Sequence, residues 1–572
     1  MQLISPNLIK LILLAYTCIG MHVALYSPVG AGLYYAFNMI SWVFISIFIG
    51  FGFWNLSQSH KFYFTKLQYW VIAGVVLLSI PMFYPHAEVF NAFPRFIALI
   101  VGLLFLVSLY QLKLNFEDRI DLLYILLIGI SLQALLGLCQ FFIFDLASWK
   151  GSTYELLNNR PSGVFRQPNV MASLMATGVV LSLVLTYFKT GVTTFQQFKN
   201  IILYFCLFSC SLVLVLLQSK TGYLGLIIAS LLFVSIFVKH FSKFKFPLFT
   251  IGLGILLGVL SLIFMQEIDR GENLYSDKGV RTDIITTSYN MFKDKPIEGY
   301  GYGKFERNYL ESHRAQMQKN SEIGEPVPNL GHPHNEVLLW GVEGGVVGIT
   351  GVVLIGLGFL LTLSGRFTVE KLALMALITP LLLHTQTELP FYLSTIHWLY
   401  FLVFIWFIDQ QVSEVKTYQA RSYLLARCFA LIVPLITIPF MLSGLHTSKM
   451  LSNFAKSNYE DNSYLNSIVN HMIWNDYLQE FYNNSRFYEG LANSNKQMLL
   501  DYIGWASEYV ESTPRLHLFE NIILAINAVE TQGVTIDAKF KEKILNDAKF
   551  LYPQKEQWGV MEDAIKLMNR SN

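Results

Sequence analysis

Gly331-His332-Pro333-His334-Asn335-Glu336 closes a long polar loop, and the residues that follow, Val337 to Leu363, carry a single charge at Glu343. An apolar run of that length is enough to cross a bilayer, which takes about 20 residues. Two imidazoles, a carboxamide and a carboxylate therefore stand at the mouth of a membrane helix. Polar residues clustered at a membrane boundary mark the place to look for chemistry.

Working outward, the whole chain reads the same way. It is 53% hydrophobic, 15% aromatic and 14% charged, with a mean hydropathy of +0.45. Soluble chains carry about 25% charged residues, so the expected fold class is an all-α polytopic membrane protein. A net charge of +2 without Lys/Arg runs gives no reason to expect a nucleic-acid partner. The five cysteines (Cys18, Cys139, Cys206, Cys210, Cys428) all lie in apolar runs and suggest neither disulfides nor a thiolate metal site. The N-terminal apolar stretch has no A-x-A cleavage signal and reads as a retained first helix.

Thirteen segments meet the length rule: 8–27, 31–54, 66–84, 93–111, 118–144, 168–188, 199–218, 221–239, 246–266, 336–363, 371–387, 391–408 and 424–445. With the N-terminus inside, fifteen Lys/Arg fall on the cytoplasmic segments and five on the outer ones: Arg95, Lys150, Arg160, Arg166 and Lys220. That bias sets the orientation. The loops at 145–167, 218–221, 267–335 and 388–391, and the tail from 446, then share the outer face. Cations kept there against the trend, notably Arg160, Arg166 and Lys220, are candidates for function.

The expected domains are a transmembrane catalytic domain, 1–445, which includes the outer loop 267–335, and a soluble helical domain, 446–572, with Thr513-Pro514 and Tyr552-Pro553 punctuating its helices. In the outer loop, Thr282 to Phe292 has Ile284, Ile285, Tyr289 and Phe292 reading as one apolar face that could lie among membrane lipids. Arg281 beside it would sit at headgroup level, where a guanidinium can bind a phosphate through two parallel hydrogen bonds; a plain interfacial anchor is the simpler reading. Pro296-Ile297-Glu298-Gly299-Tyr300-Gly301-Tyr302-Gly303 lacks the flanking strand and helix of a phosphate loop and reads as a turn. His332-Pro333-His334 is weak as a metal pair, having no third ligand nearby, and His334 suits a proton acceptor because an imidazole titrates near neutral pH.

Four motifs in order resemble those of the bacterial O-antigen ligase superfamily. His334-Asn335 followed by Gly345 and Gly348 resembles H-[NSQ]-x9-G-x-x-[GTY]. Arg160 to Asn169 resembles the segment G-x-F-x-x-P-N, Gln218-Ser219-Lys220-Thr221-Gly222 the turn S-[RK]-[ST]-G, and Arg281 with Asp294 to Gly301 the arginine and D-x-P-x-x-G-x-G. His384-Thr385-Gln386-Thr387-Glu388-Leu389-Pro390-Phe391-Tyr392 resembles H-x-Q-x-E-[LM]-P-x-x-Y of the protein-directed, PglL/PglS-like O-oligosaccharyltransferase branch. Lys220 stands where many relatives have Arg, which keeps the charge and loses the bidentate geometry.

The resemblance implies a GT-C-like fold in the bacterial inner membrane with a periplasmic site. It also implies transfer of a glycan from undecaprenyl diphosphate to Ser or Thr of an exported protein such as a pilin, without a cofactor or metal. On it, His334 is the base, Arg281 and Lys220 hold the diphosphate, and Arg160, Gln167, Asn169, His332, Glu388 and Tyr392 contact glycan or acceptor. For two of these a plainer role is open: Asn169 as a helix cap and Tyr392 as an interfacial residue. An O-antigen ligase or a Wzy-like polymerase, with a lipid-linked acceptor, would use the same face. A transporter is disfavoured because ionisable residues are scarce at helix centres and no inverted repeat is visible.

Overall fold

The computed structural model describes residues 3–25, 27, 32–143, 160–188, 194–264, 273–320, 323–364, 368–420, 422–458 and 460–553. Of the five outer cations, Lys150 lies outside the described residues. The chain divides into two compact units. The first comprises Met1–Val76, Arg95–Asp269 and Val353–Trp474, the second Leu77–Pro94, Arg270–Val352 and Asn475–Asn572.

The helices run in chain order as α1 (Pro6–Cys18), α2 (Ala36–Ser59), α3 (Lys66–Ser79), α4 (Val89–Gln111), α5 (Phe116–Phe142), α6 (Pro168–Phe188) and α7 (Thr194–Leu217). They continue as α8 (Lys220–Lys239), α9 (Phe241–Phe264), α10 (Asn273–Asp294), α11 (Phe305–Lys319), α12 (Glu336–Thr362), α13 (Val369–Thr385) and α14 (Pro390–Leu393). The last are α15 (Thr395–Val412), α16 (Tyr423–Lys456), α17 (Ser463–Asn466), α18 (Asn475–Ala492), α19 (Lys496–Tyr509), α20 (Leu516–Glu530) and α21 (Ala538–Leu551). Two short strands, β1 (Lys61–Phe64) and β2 (Lys416–Gln419), pair antiparallel with Lys61 opposite Gln419.

The fold is that of an all-α, multi-pass membrane protein with a C-terminal helical region. Among the described residues ten helices are long and apolar enough to span: α2, α3 with its 3-10 extension to Phe83, α4 to α9, α12 and α16. The sequence suggested thirteen. The other three are helical but shorter, with 13 residues in α1, 17 in α13 and 18 in α15. The first stops at Cys18, where Gly20–His22 turns into a 3-10 helix and the His22 ring reaches back to the Thr17 carbonyl at 2.8 Å. The last carries Asp409-Gln410-Gln411 in its final turn.

Within the first unit α6 is buried along nearly all its length. Three of its polar residues meet their hydrogen-bonding needs on their own helix: Thr177, Ser182 and Thr186 each donate to the carbonyl four residues back, at 2.7 to 2.8 Å. Its Gly178 lets α7 close in, since a Cβ there would lie 2.8 Å from Cys210 Sγ. Small residues at such crossings are how membrane helices gain dispersion contacts. Lys10 of α1 and Lys199 of α7 are both neutralised by Asp121 at 2.6 Å, and Lys10 also meets Asp118.

The second unit joins the outer loop to the tail. Leu310 of α11 belongs to the apolar core made by Phe487, Leu499, Phe519, Ile522, Leu545 and their neighbours. Two arginines, Arg307 half-buried and Arg314 buried, fasten the same helix. Arg307 binds Asp547 of α21 at 2.9 Å, Glu311 at 2.5 Å and the Val510 carbonyl at 3.1 Å. Arg314 binds the Leu551 carbonyl at 2.8 Å and Glu325 at 2.6 Å. α19 and α20 are separated at Thr513-Pro514, and α21 ends just before Tyr552-Pro553.

The face read for Thr282 to Phe292 is different from the one observed. Ile284, Thr287, Ser288 and Met291 are buried, whereas Ile285 and Tyr289 are exposed. Two polar residues can take buried positions because Thr287 Oγ1 pairs with His313 Nδ1 at 3.1 Å and Ser288 Oγ donates to the Ile284 carbonyl. His313 Nε2 donates to the Gly324 carbonyl at 2.9 Å, so Nδ1 accepts from Thr287. Replacing Arg307 with Ala should loosen α11 from the tail by about 1.5–3 kcal/mol, the value of hydrogen bonds to charged groups. Limited proteolysis should then cut this unit faster; an unchanged rate would show that Leu310 and its apolar neighbours suffice.

Candidate active site

The candidate residues fall into two sets, one in each unit, and each set is built by a different device. In the second unit the device is a broken helix. α12 is interrupted at Gly345, whose φ of 60° and ψ of −153° suit glycine almost exclusively. The break frees backbone groups, and the strap 296–303 takes them up: Val346 N donates to the Pro296 carbonyl at 2.7 Å, Tyr300 N to Val342 at 2.8 Å and Gly301 N to Glu343 at 2.9 Å. Gly299, Gly301 and Gly303 all have positive φ. A Cβ on Gly299 would come within 2.6 Å of the Glu343 carbonyl, and one on Gly345 within 2.2 Å of the Ile297 oxygen. The glycines at alternating positions thus allow backbone to pack on backbone.

The strap's other residues hold it in place. Tyr300 donates to Asp294 at 2.7 Å, and burial together with that bond pushes its phenol up to about 12, so it stays a donor. Glu343, buried in α12, accepts from Gly303 N at 3.1 Å, and Tyr302 packs edge-on against Trp340. From this anchor α12 runs back to its first residue, with Asn335 Oδ1 accepting from Leu338 N at 2.9 Å and Glu336 taking the Trp340 indole N–H at 2.8 Å. His334 precedes this cap in a left-handed conformation, φ 54°. Its N–H donates to His332 Nδ1 at 3.2 Å, and the two rings meet edge-on at 4.7 Å. Both imidazoles are half-buried, and Arg281 is exposed on α10.

In the first unit the device is a set of side-chain bonds between helix ends. Buried Gln140 of α5 accepts from Ser162 N at 3.0 Å and Gly163 N at 2.8 Å, fixing the loop before α6. Arg160 of that loop reaches the Leu217 carbonyl at 3.5 Å. α6 begins at Pro168, so Asn169 lies inside its first turn and does not cap it; Gln167 Oε1 takes the Asn169 N–H instead, at 3.4 Å. The Asn169 side chain accepts from Ser219 Oγ at 2.9 Å, and Ser219 also caps α8 through Gly222 N. Thr221 Oγ1 meets Thr387 Oγ1 at 3.2 Å. Segments 167–169, 218–222 and 384–392 are thereby tied into one cluster.

Within that cluster Lys220 is the first residue of α8 and is exposed. A cation is disfavoured at a helix N-terminus, which attracts anions, so both features there favour a negatively charged ligand. Glu388 is buried, with its N–H bonded to the His384 carbonyl at 2.9 Å. Half-buried Tyr392 lies in α14, which is pinned by buried Asn38: its amide donates to the Leu393 carbonyl at 2.9 Å and its oxygen accepts from Thr395 N at 2.7 Å. Sequence reasoning missed Asn38 and Gln140, and gave no role of their own to Ser219, Thr221 and Thr387 within the motifs. For the first two the available signal was a carboxamide inside an apolar run, which is costly unless it has a structural partner.

Comparison with known proteins gives three family matches along the chain. The Protein glycosylation ligase model matches residues 161–185, the O-Antigen ligase model 205–353, and the model described as Virulence factor membrane-bound polymerase, C-terminal, 372–562. Over these residues the chain is similar to O-antigen ligases and protein glycosylation ligases. The matched descriptions are of ligases and a polymerase, and the matches take in residues of both sets described above. A curated relative, the ComP-specific O-oligosaccharyltransferase of Acinetobacter baylyi, is 25% identical over 385 residues, a stretch that covers 64% of each chain.

Gly345→Ala should cost about 1–3 kcal/mol for the forced backbone conformation, in addition to the clash with Ile297. The expected outcome is a lower melting temperature and loss of activity together, measured on detergent-solubilised protein. Full activity at an unchanged melting temperature would mean that the strap does not govern the start of α12.

Proposed function

We propose that this enzyme is an O-linked oligosaccharyltransferase that moves a whole glycan from undecaprenyl diphosphate to a Ser or Thr hydroxyl of an exported protein such as a pilin. The setting proposed is the outer, periplasmic face of a bacterial inner membrane. The hydroxyl oxygen attacks the anomeric carbon as the bond to the diphosphate breaks. The bonding pair leaves with undecaprenyl diphosphate, the hydroxyl proton passes to His334, and the configuration inverts. Lys220 and Arg281 bind the diphosphate and stabilise the charge that grows on it. Since a diphosphate is already a good leaving group, no metal is required to expel it.

The single observation that carries this reading is Lys220 at the N-terminus of α8, an exposed cation where the helix itself favours an anion. Gln167, Asn169, Glu388, Tyr392, Arg160 and His332 are assigned to glycan and acceptor. For the acceptor, support comes from the 384–392 element and from the protein-glycosylation match at 161–185. A second reading, a polymerase or O-antigen ligase with a lipid-linked acceptor, draws on the polymerase description of the match over 372–562.

The test is transfer by purified enzyme from an undecaprenyl-diphosphate glycan to a pilin. His334→Ala should lower kcat by about 100-fold or more, in the range of general-base loss, and His332→Ala by less. Lys220→Ala should raise the donor KM, Lys220→Arg should restore it, and Arg281→Lys should fall short of wild type because it loses the bidentate geometry. Undiminished transfer by His334→Ala would remove the mechanism.

A further inference from the structure

In the first unit, the helix ends opposite the helix-end cluster hold a group of cations that the transferase reading does not use. α2 starts beside α14, where Asn38 donates to the Leu393 carbonyl, and runs for 24 residues to Ser59, roughly 36 Å away. At that far end β1 and β2 form a platform fixed to the helices around it. Gln111, the last residue of α4, accepts from Tyr63 N at 3.0 Å and donates to the Tyr63 carbonyl at 2.9 Å, while Ala420 N donates to the His60 carbonyl at 2.9 Å. α16 follows β2 and packs on α2 so closely that a Cβ on Gly50 would lie 2.9 Å from the Ala430 carbonyl.

The platform gathers Lys61 of β1, Lys416 of β2, Lys113 just after α4 and Arg427 of α16. The chain has no Asp or Glu from Met1 to Ala87 or from Val415 to Tyr459. Asp409 is buried and taken up by Tyr110 and Ser413, at 2.6 and 2.5 Å, and Glu414 is exposed before β2. Among the described residues none of the four cations forms an ion pair, whereas Lys10 and Lys199 on the same face are neutralised by Asp121. Two of the four are held by aromatic faces instead. Lys113 Nζ lies 5.9 Å from the Tyr63 ring centre, and the Arg427 guanidinium lies 5.9 Å from the rings of both Trp54 and Tyr423. Such contacts orient a cation and leave its charge without a counter-ion. Arg427 Nε is buried and has no hydrogen-bond partner among the described residues, and an orphaned buried donor calls for an explanation. Lys61 follows His60, whose ring meets Tyr423 edge-on at 5.1 Å.

Around Arg427 on α16, Leu424, Leu425, Leu431 and Ile432 are exposed, so this end of a spanning helix faces acyl chains. Positive charge on one face sets orientation by itself. A guanidinium caged by two rings at the lipid boundary, with no carboxylate to meet it, requires in addition an anion from the membrane. We infer that the ends of α2 and α16, under the β1–β2 platform, bind the headgroup of an anionic phospholipid, with its phosphate on Arg427 and Lys61 beside it. A phosphodiester offers two oxygens that match the guanidinium fork, and basic pockets between membrane helices hold lipid headgroups in this way. The site is independent of the transferase reading.

The experiment measures lipid binding to the purified full chain in neutral detergent by native mass spectrometry, with phosphatidylglycerol and phosphatidylcholine as probes. Wild type should bind phosphatidylglycerol about tenfold more tightly or better. Arg427→Ala should weaken that binding by about tenfold or more, the scale of hydrogen bonds to a charged group. Arg427→Lys should fall between the two, because it keeps the charge and loses the fork and the ring contacts. Lys61→Ala should also weaken it, and Lys245→Ala, an exposed cation on the same face away from the platform, should not. Equal binding of the two lipids by wild type, or an equal loss with Lys245→Ala, would overturn the inference. So would competition by millimolar inorganic phosphate, which would make this a site for a soluble anion. If Arg427→Ala does not fold, Arg427→Lys and Lys61→Ala decide, and unchanged affinity in both overturns the inference.

Discussion

The second unit depends on one backbone arrangement, the pairing of the strap 296–303 with α12 where Gly345 breaks the helix. A helix break exposes carbonyl and N–H groups that water cannot reach in a packed setting, and each must find a partner. Here the partners are main-chain groups of the strap, brought within reach because Gly299, Gly301 and Gly345 have no Cβ to interfere. The stretch from His334 to Gly345 is then a rigid rod of a few turns, capped at one end by Asn335 and bonded at the other. The imidazole at its start inherits that rigidity, as the role of base proposed for His334 requires.

The first unit obtains its order from polar side chains in an apolar setting. Asn38, Gln140, Ser173 and Ser219 each bridge segments far apart in the chain, and at low dielectric such bonds are strong when complete and costly when not. Helix ends that would splay are held by Asn169 with Ser219 and by Thr221 with Thr387. The turn 218–222 divides its work among residues: Ser219 caps, Thr221 cross-links, and Gly222 leaves room for Ala172. Lys220 stays exposed.

The sequence spoke clearly about class and motif, because hydrocarbon length and short spacings are local properties. It was less clear wherever the answer depended on a distant partner. α13 and α15 read as spans from apolar content alone, but α13 has only 17 residues and α15 carries Asp409-Gln410-Gln411 in its last turn. The glycines of 299–303 read as a turn because their partner, the break in α12, lies forty residues on. Ile285 and Tyr289 were grouped with Ile284 by hydrophobicity, yet Thr287 and Ser288 are the buried neighbours, since His313 and a helix carbonyl satisfy their hydroxyls. Arg307 and Arg314 of the outer loop are clamps to α21 and its end.

The account turns on what accepts the glycan. The most direct measurement offers purified enzyme an undecaprenyl-diphosphate oligosaccharide with a pilin and a lipid A core acceptor in the same reaction, and reads both products by intact mass. The account predicts a single whole-glycan increment on a Ser or Thr of the protein. Transfer to the lipid acceptor alone would contradict it.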